Sequence, residues 1–197
     1  MSIRFVTTNL NKVRSLARTL EPFGIGVMQV ELELPELQVL DLKTIAEYKA
    51  RFAFGRIRSP LVVQDAGFFI DRWNGFPGAA VKWGIGTLGL EGILKLMEGE
   101  SNRQCAFREC LTYIDQEGVR SFEAETPGTI ATETRGEFNP NAETRLWRIF
   151  VPLGESLTLA EMNDSERDTW RVKRPKNYGA LFADWYVGPE GPGAVTR

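Results

Sequence analysis

The pattern of apolar and polar positions predicts alternating strands and helices in the first third of the chain. A short apolar stretch predicts a strand over residues 2 to 6, and the spacing of Val13, Leu16, Ala17 and Leu20 predicts a helix behind it. Further elements follow in the order strand, helix, strand, over residues 26 to 32, 42 to 54 and 60 to 65. The last of these strands is predicted to end on the carboxylate of Asp65, and ligands of open α/β sheets collect at such strand ends.

Strands lie closer together in the second half of the sequence. Turn residues fill positions 71 to 78, and a helical pattern covers residues 86 to 97. Residues 106 to 115 and 120 to 131 predict a hairpin, and residues 147 to 152 predict another strand. Strand and helix alternation followed by adjacent strands favours an α/β fold with a mixed central sheet flanked by helices and a second, β-rich lobe.

Two stretches lack a regular pattern. The polar residues 133 to 145 predict a flexible loop, and the Gly/Pro-rich segment after Val187 predicts irregular structure. A chain of 197 residues is long enough for one substantial core, so a single domain over residues 1–197 is expected.

Charge and composition narrow the class of ligand. The formal net charge of −2 gives no general basic surface for nucleic acid, so a small anion held by a local cluster of Lys and Arg is expected. No apolar run approaches membrane-spanning length and no leader pattern is present, which predicts a cytoplasmic protein without a membrane partner. The two cysteines, Cys105 and Cys110, fit neither a zinc site nor a disulfide framework and are interpreted as buried thiols.

The chain contains no histidine, and this restricts its chemistry. The commonest general base and the commonest ligand of transition metals are both missing. Carboxylates, hydroxyls and lysines remain for catalysis, and Mg²⁺ with oxygen ligands becomes the natural cofactor.

The segment Thr7-Thr8-Asn9-Leu10-Asn11-Lys12 lies where the first strand passes into the first helix. Hydroxyls, amides and free backbone N–H groups meet there beside a lysine, an arrangement that suits phosphate. Capping of the helix by Thr or Asn is an equally good interpretation of these residues taken alone. Two carboxylates further along, Glu36 and Asp65, favour the phosphate site because they can hold a hard cation.

At this point the ordered motifs resemble those of the inosine triphosphate pyrophosphatase family, also called Ham1-like. The resemblance covers most of the chain, and the matching segments are Thr7–Lys12, Leu34-Pro35-Glu36-Leu37-Gln38, Lys49-Ala50, Val63-Gln64-Asp65-Ala66-Gly67, Gly75-Phe76-Pro77-Gly78, Val81-Lys82-Trp83, Pro127-Gly128-Thr129-Ile130, Ile149–Gly154 and Leu159-Ala160-Glu161-Met162. The family's fold has two lobes with a ligand cleft between them, and its members generally work as homodimers. The same organisation is expected here.

The resemblance implies hydrolysis of a nucleoside triphosphate to monophosphate and pyrophosphate with Mg²⁺. Glu36 and Asp65 are expected to seat the metal, and Asp65 to orient or deprotonate the attacking water. Phosphate contacts are expected from Thr7, Thr8, Asn9, Asn11, Lys12, Lys49 and Lys82. Lys12 is counted with Asp65 as catalytic because it neutralises charge on the reacting phosphates.

Departures from the family pattern concentrate where the base is read. Arg145-Leu146-Trp147-Arg148 takes the place of a segment that ends on an aspartate, and Arg171-Val172-Lys173 takes the place of Ser-His-Arg. Trp147, Arg167 and Lys173 are the candidate base-pocket residues, with a core tryptophan and a solvated basic loop as the alternatives. In the catalytic half, Gln64 replaces a glutamate and Ala66 replaces a hydroxyl residue. An altered base preference is therefore expected.

Two other functions stay open from the sequence. A non-catalytic nucleotide-binding or interaction protein on the same fold is favoured by the changes at positions 64, 66, 147 and 171 to 173. A Maf-type nucleotide pyrophosphatase shares the architecture, although Phe76-Pro77-Gly78 and Ala160-Glu161-Met162 favour the inosine-type branch. Lys12, Glu36, Asp65 and Lys82 favour an enzyme.

Overall fold

The computed structural model describes residues 1–137, 142 and 144–193. Its strands and helices are, in chain order, β1 (Ser2–Val6), α1 (Leu10–Leu20), β2 (Gly26–Val30), α2 (Leu42–Ile57), β3 (Leu61–Ile70), β4 (Pro77–Gly78), α3 (Val81–Leu96), β5 (Gln104–Ile114), β6 (Val119–Ile130), β7 (Phe150–Pro152), α4 (Asp164–Lys173) and α5 (Tyr178–Tyr186).

A mixed sheet connects these strands, as the sequence predicts. Its order is β2-β1-β3-β5-β6-β7, with β4 paired to β3. β1 runs parallel to β2 and to β3, whereas β4 and β7 run antiparallel to their partners β3 and β6. A turn at Asp115, whose side chain accepts from the backbone N–H groups of Glu117 and Gly118, joins β5 to β6 and confirms the predicted hairpin.

The prediction that a strand ends at Asp65 is wrong, because β3 continues to Ile70. Its second half pairs with β4, where Phe68 faces Gly78 and Phe69 faces Pro77. Gly67 allows this close approach, since a Cβ on it would lie 2.7 Å from the carbonyl oxygen of Gly78. Asp65 therefore lies within a continuous strand.

Other boundaries differ from the predictions for local reasons. α3 begins at Val81, five residues earlier than predicted, and is kinked at Gly89, whose φ of 66° interrupts the helix. Residues 145–148 form a 3-10 helix, so β7 starts only at Phe150. Part of the predicted loop 133 to 145, namely residues 138–141 and 143, lies outside the described residues.

The chain divides into two compact units. The first contains residues 1–65, 109–124 and those from 176 onward. Its core packs α1 and α5 against the sheet through a cluster of buried residues: Ile3, Phe5, Leu16, Leu20, Ile25, Val62, Leu111, Tyr113, Phe122, Tyr178, Phe182, Ala183 and Tyr186. These helices carry the apolar face that covers one side of β1, β3 and β5.

The second unit contains residues 66–108 and 125–175. Its core includes Phe68, Ile93, Met97 and Phe150, with Phe107 and Phe150 in edge-to-face contact at 4.7 Å between ring centroids.

The thiols of Cys105 and Cys110 are both buried and unbridged, as predicted. Among the described residues no helix is long and apolar enough to cross a bilayer.

Candidate active site

The loop between β1 and α1 contains the residues that the sequence analysis predicts to bind phosphate. Asn9 is the N-cap of α1, and its side-chain oxygen accepts from the backbone N–H groups of Asn11 and Lys12 at 2.9 and 3.3 Å. Thr7 accepts from the backbone N–H of Asn9 at 3.1 Å, and Thr8 is exposed. The capping interpretation of Asn9 is thus confirmed, and it fixes the N-terminus of α1, where the helix dipole favours an anion.

Lys12 connects this loop to β3. Its ammonium donates to the backbone carbonyl of Gln64 at 3.3 Å. Gln64 and Asp65 are consecutive residues of β3, so their side chains point to opposite faces of the sheet. Gln64 shares its face with Val62, which packs in the core with Leu16 and Leu20 of α1. α1 therefore packs on the face of β3 that carries Val62 and Gln64.

Lys49 lies on the other face, between two carboxylates. Its ammonium donates to Glu36 at 2.7 Å and to Asp65 at 2.9 Å. Lys49 is buried in α2, whereas the side chain of Glu36 is 74% exposed and that of Asp65 is 15% exposed. Both carboxylates contact one nitrogen, so their oxygens lie within two hydrogen-bond lengths of each other. This arrangement joins three of the residues that the sequence analysis selects.

The charge of Lys49 is stabilised by this arrangement. Burial lowers the pKa of its ammonium, but the negative charge and hydrogen bonds of Asp65 and Glu36 outweigh burial and raise the pKa above its ordinary value. Lys49 is therefore cationic at neutral pH.

The donor set fits a hard divalent cation. The second carboxylate oxygen of Asp65, Oδ2, is buried and has no hydrogen-bond partner among the described residues. An unpaired buried carboxylate oxygen beside a second carboxylate is the kind of ligand that Mg²⁺ takes, with waters and phosphate oxygens completing its shell. No cluster of three His, Cys, Asp or Glu residues suited to a metal occurs within residues 1–137, 142 and 144–193. The protein would thus supply two carboxylates only.

Glu109 of β5 is a residue that the sequence analysis missed. Its carboxylate accepts from the side-chain amide of Gln64 at 3.1 Å. Because β5 is the neighbour of β3 in the sheet, the contact depends on strand order, which the sequence pattern does not give. The sequence offered one indication of its position: side chains alternate between the two faces of a strand, which places Glu109 on the same face as Leu111 and Tyr113.

The remaining predicted site residues belong to the second unit. Lys82 is exposed in the first turn of α3, and Lys173 is exposed at the end of α4. Trp147 is half-buried and packs against the core of this unit, which agrees with the alternative interpretation of a core tryptophan.

Arg167 is 8% exposed and its guanidinium is occupied. It donates to the carbonyls of Leu159 and Met162 and to the carboxylate of Asp164. The guanidinium carbon lies 5.9 Å from the ring centroid of Trp147. Arg167 thus joins the segment before α4 to the helix itself, and a contact with a base stays a prediction.

Comparisons with known proteins show what the whole chain is similar to. A sequence model of the Ham1 family matches residues 3–174. The chain is 37% identical to a dITP/XTP pyrophosphatase of Methanopyrus kandleri, over 94% of this chain and 96% of that protein. It is 35% identical to a dITP/XTP pyrophosphatase of Thermococcus kodakarensis, over 94% and 97%.

Solved structures share the fold. A nucleoside-triphosphatase / dITP/XTP pyrophosphatase from Mycobacterium abscessus superposes with a TM-score of 0.71 at 27% identity, covering 93% of this chain and 97% of that one. The Ham1 protein of Staphylococcus aureus gives a TM-score of 0.73 at 15% identity, with 93% and 96% covered.

Proposed function

Because the chain belongs to the Ham1 family, we propose that it is a nucleoside triphosphate pyrophosphohydrolase, which cleaves an NTP or dNTP into a monophosphate and pyrophosphate. The observation that carries the proposal is the buried ammonium of Lys49 between Glu36 and Asp65. The site holds an ammonium beside two carboxylates, and this suits a reaction in which phosphate oxygens and a metal cation must be held close together. The curated relatives that bear the name dITP/XTP pyrophosphatase support the same reaction class.

Several residues of the first unit have roles in the proposed reaction. Backbone N–H groups at the start of α1, together with Lys12, bind the polyphosphate, because a helix N-terminus and an ammonium both favour anions. Asp65 orients the attacking water and accepts its proton, and Lys49 keeps the Asp65 carboxylate in place. Positioning and charge stabilisation of the transition state supply most of the rate.

Mg²⁺ is the proposed cofactor. When bound, it would neutralise charge on the phosphate oxygens and polarise the bond that breaks. Glu36 and the Oδ2 atom of Asp65 would hold it. A neutral Gln64 in place of a glutamate lowers the charge of this region, so we expect weaker affinity for the cation than a carboxylate at that position would give.

The base preference is proposed to differ from that for inosine and xanthosine nucleotides. Residues 145 to 148 contain two arginines and no carboxylate, and residues 171 to 173 contain no histidine. A pocket discriminates a keto from an amino group through placed donors and acceptors, so their replacement changes which base is accepted. Contacts of Trp147, Lys173 and Arg167 with the base, and of Lys82 with phosphate, remain part of this proposal.

A non-catalytic nucleotide-binding protein is the second candidate. The observation in its favour is that Lys49 already pairs with both carboxylates that a cation would need. We further propose that the chain works as a homodimer, as the resemblance implies, and that it does so in the cytoplasm, as the sequence pattern predicts. The Ham1 match disfavours the Maf-type alternative.

Pyrophosphate release across standard and deaminated nucleoside triphosphates, with and without Mg²⁺, tests the proposal. Asp65→Asn is the control variant, and its turnover should fall by orders of magnitude while nucleotide binding persists. Equal activity of the wild type and Asp65→Asn would contradict the catalytic role. Binding without turnover on any nucleotide would support the non-catalytic candidate.

A further inference from the structure

Gln29 of β2 holds the loop between β1 and α1 through a contact that the mechanism above does not use. It is half-buried and lies opposite Phe5 of β1, next to the end of that strand. Its side-chain amide donates to the backbone carbonyl oxygen of Thr7 at 2.9 Å. The two residues are 22 positions apart, so the neighbouring strand, and not the loop itself, makes this contact.

This hydrogen bond sets the orientation of the peptide plane between Thr7 and Thr8. The plane before it is held by the N–H of Thr7, which donates to the carbonyl of Val30 at 3.1 Å. The plane after it is held by the N–H of Asn9, which donates to the hydroxyl of Thr7 at 3.1 Å. Among the described residues only Gln29 donates to the carbonyl of Thr7. Because a peptide unit is planar and turns as one body, Gln29 decides which way this unit faces.

The unused donor of this peptide is the N–H of Thr8. In a trans peptide the carbonyl and the following N–H point in opposite directions, so a carbonyl turned toward Gln29 directs the N–H of Thr8 away from β2. Thr8 is exposed, and its N–H donates to no other residue in the described part of the chain. Phe5 lies opposite Val62 of β3, and continuing this register places Thr8 level with Asp65. The N–H is therefore available to an anion at the carboxyl end of β1.

The opposite orientation of this peptide would disfavour an anion. If the unit turned over, the carbonyl oxygen of Thr7 would point where the N–H of Thr8 now points. A carbonyl oxygen carries negative partial charge and repels a phosphate oxygen. The amide of Gln29 opposes that rotation, because it offers the carbonyl a neutral donor on the side of β2.

We propose that Gln29 is a positioning residue for the phosphates of the substrate. It holds the carbonyl of Thr7 and thereby keeps the N–H of Thr8 directed at a phosphate oxygen, without touching the substrate itself. Gln29 lies outside the segments that carry the family resemblance. The inference rests on the proposed function, because it assumes that phosphates bind at the loop between β1 and α1.

Calorimetric titration with magnesium pyrophosphate tests this role without any turnover. Gln29→Met keeps a side chain of similar length and removes the donor, so the affinity should fall about 10-fold, the lower end of what a hydrogen bond to a charged group contributes. Gln116→Met is the matched control, because Gln116 is exposed in the turn between β5 and β6, and it should bind as the wild type does. A residue that only supports the fold would lower the thermal stability and leave the affinity of the folded protein unchanged.

Gln29→Glu adds a pH profile that a loss of stability does not produce. An ionised carboxylate only accepts hydrogen bonds and repels the carbonyl of Thr7, whereas a protonated carboxyl can donate to it. This repulsion raises the pKa of the introduced carboxyl above its ordinary value. The affinity of Gln29→Glu, relative to the wild type at the same pH, should therefore recover as the pH falls from about 8 to about 5. The relative affinity of Gln29→Met should stay constant over this range.

The backbone amide signal of Thr8 in NMR spectra gives a direct check. Addition of magnesium pyrophosphate should shift this signal in the wild type, because a charged acceptor meets the N–H. The shift should be much smaller in Gln29→Met. Thermal unfolding of each variant comes first, and if Gln29→Met does not fold, Gln29→Glu compared at the two pH values carries the test.

The outcomes separate this inference from the proposed function. Equal affinities of Gln29→Met and Gln116→Met, a Thr8 signal that pyrophosphate does not move, or a relative affinity of Gln29→Glu that does not change with pH overturns the role of Gln29 and leaves the proposed function standing. If pyrophosphate does not bind the wild type at all, the inference also falls. Weaker binding by Gln29→Met, with recovery of Gln29→Glu at low pH, supports it even if no nucleotide is hydrolysed and the proposed function fails.

Discussion

Replacing Lys49 with methionine removes the ammonium that joins Glu36 to Asp65 and keeps a side chain of similar length. Glu36 is 74% exposed, and exposed pairs contribute about 0–1 kcal/mol to the free energy of unfolding. Asp65 is 15% exposed, and a fully buried carboxylate that loses its partner costs about 3–5 kcal/mol. Because Asp65 keeps some contact with solvent, we expect a loss of about 2–4 kcal/mol.

Urea unfolding followed by circular dichroism measures this loss, provided that the slope of the transition is unchanged. Lys176→Met is the matched control, since Lys176 pairs with Asp184 but its side chain is 64% exposed. Its loss should stay below about 1 kcal/mol. The raised pKa of Lys49 fixes the expected pH dependence: its contribution is complete below the ordinary lysine pKa and is lost only as the pH rises through the higher folded value.

A second substitution tests the cause of the loss. If the unpaired charge of Asp65 is responsible, Lys49→Met/Asp65→Asn should be more stable than Lys49→Met alone. A loss below about 1 kcal/mol in Lys49→Met would mean that Asp65 is solvated well enough to stand alone. A double variant no more stable than the single one would also refute the reasoning.

Two more predictions concern Trp147 and the cysteines. Trp147→Ala should change the ranking of nucleotides by pyrophosphate release more than the rate on triphosphate itself, since stacking a base on an aromatic ring contributes about 1–3 kcal/mol; an unchanged ranking would make Trp147 a core residue only. Cys105 and Cys110 should resist iodoacetamide at about pH 8 until the protein unfolds, because burial raises both thiol pKa values, that of Cys110 to about 11. The contribution of the neutral Cys110 thiol to the free energy of unfolding is complete below the ordinary thiol pKa and is lost as the pH rises through about 11. Rapid labelling of the folded protein at about pH 8 would contradict the protection of the thiols and their raised pKa values.

Local patterns predicted the elements that are proposed to bind phosphate. The β1–α1 junction could be predicted because a short apolar strand, a capping asparagine and a helical apolar spacing occur in direct succession. Glu36, Lys49 and Asp65 were selected from a resemblance, and the structure brings them together. Their mutual contacts could not be predicted, because 16 residues separate Lys49 from Asp65 and only the packing of α2 on the sheet closes that distance.

Other features escaped prediction for two different physical reasons. Glu109 meets Gln64 through strand order, which apolar periodicity does not encode. The sequence analysis also missed α4, although its start can be recognised from the sequence. Asn163 and Glu166 form a capping box there. The extension of β3 beyond Asp65 was missed because Ala66 and Gly67 carry no side chain that favours a strand, and pairing with β4 decides their conformation.

The hydrogen bonds of Arg167 restrict how the specificity of this chain can evolve. Arg167 is a candidate base-pocket residue, but its guanidinium ties two backbone carbonyls and Asp164 together. We expect substitution of Arg167 to lower the stability of the fold, because its side chain is buried and these hydrogen bonds would be lost. If Lys173 contacts the base as proposed, the preferred nucleotide should change more readily through substitution of this exposed residue than through substitution of Arg167.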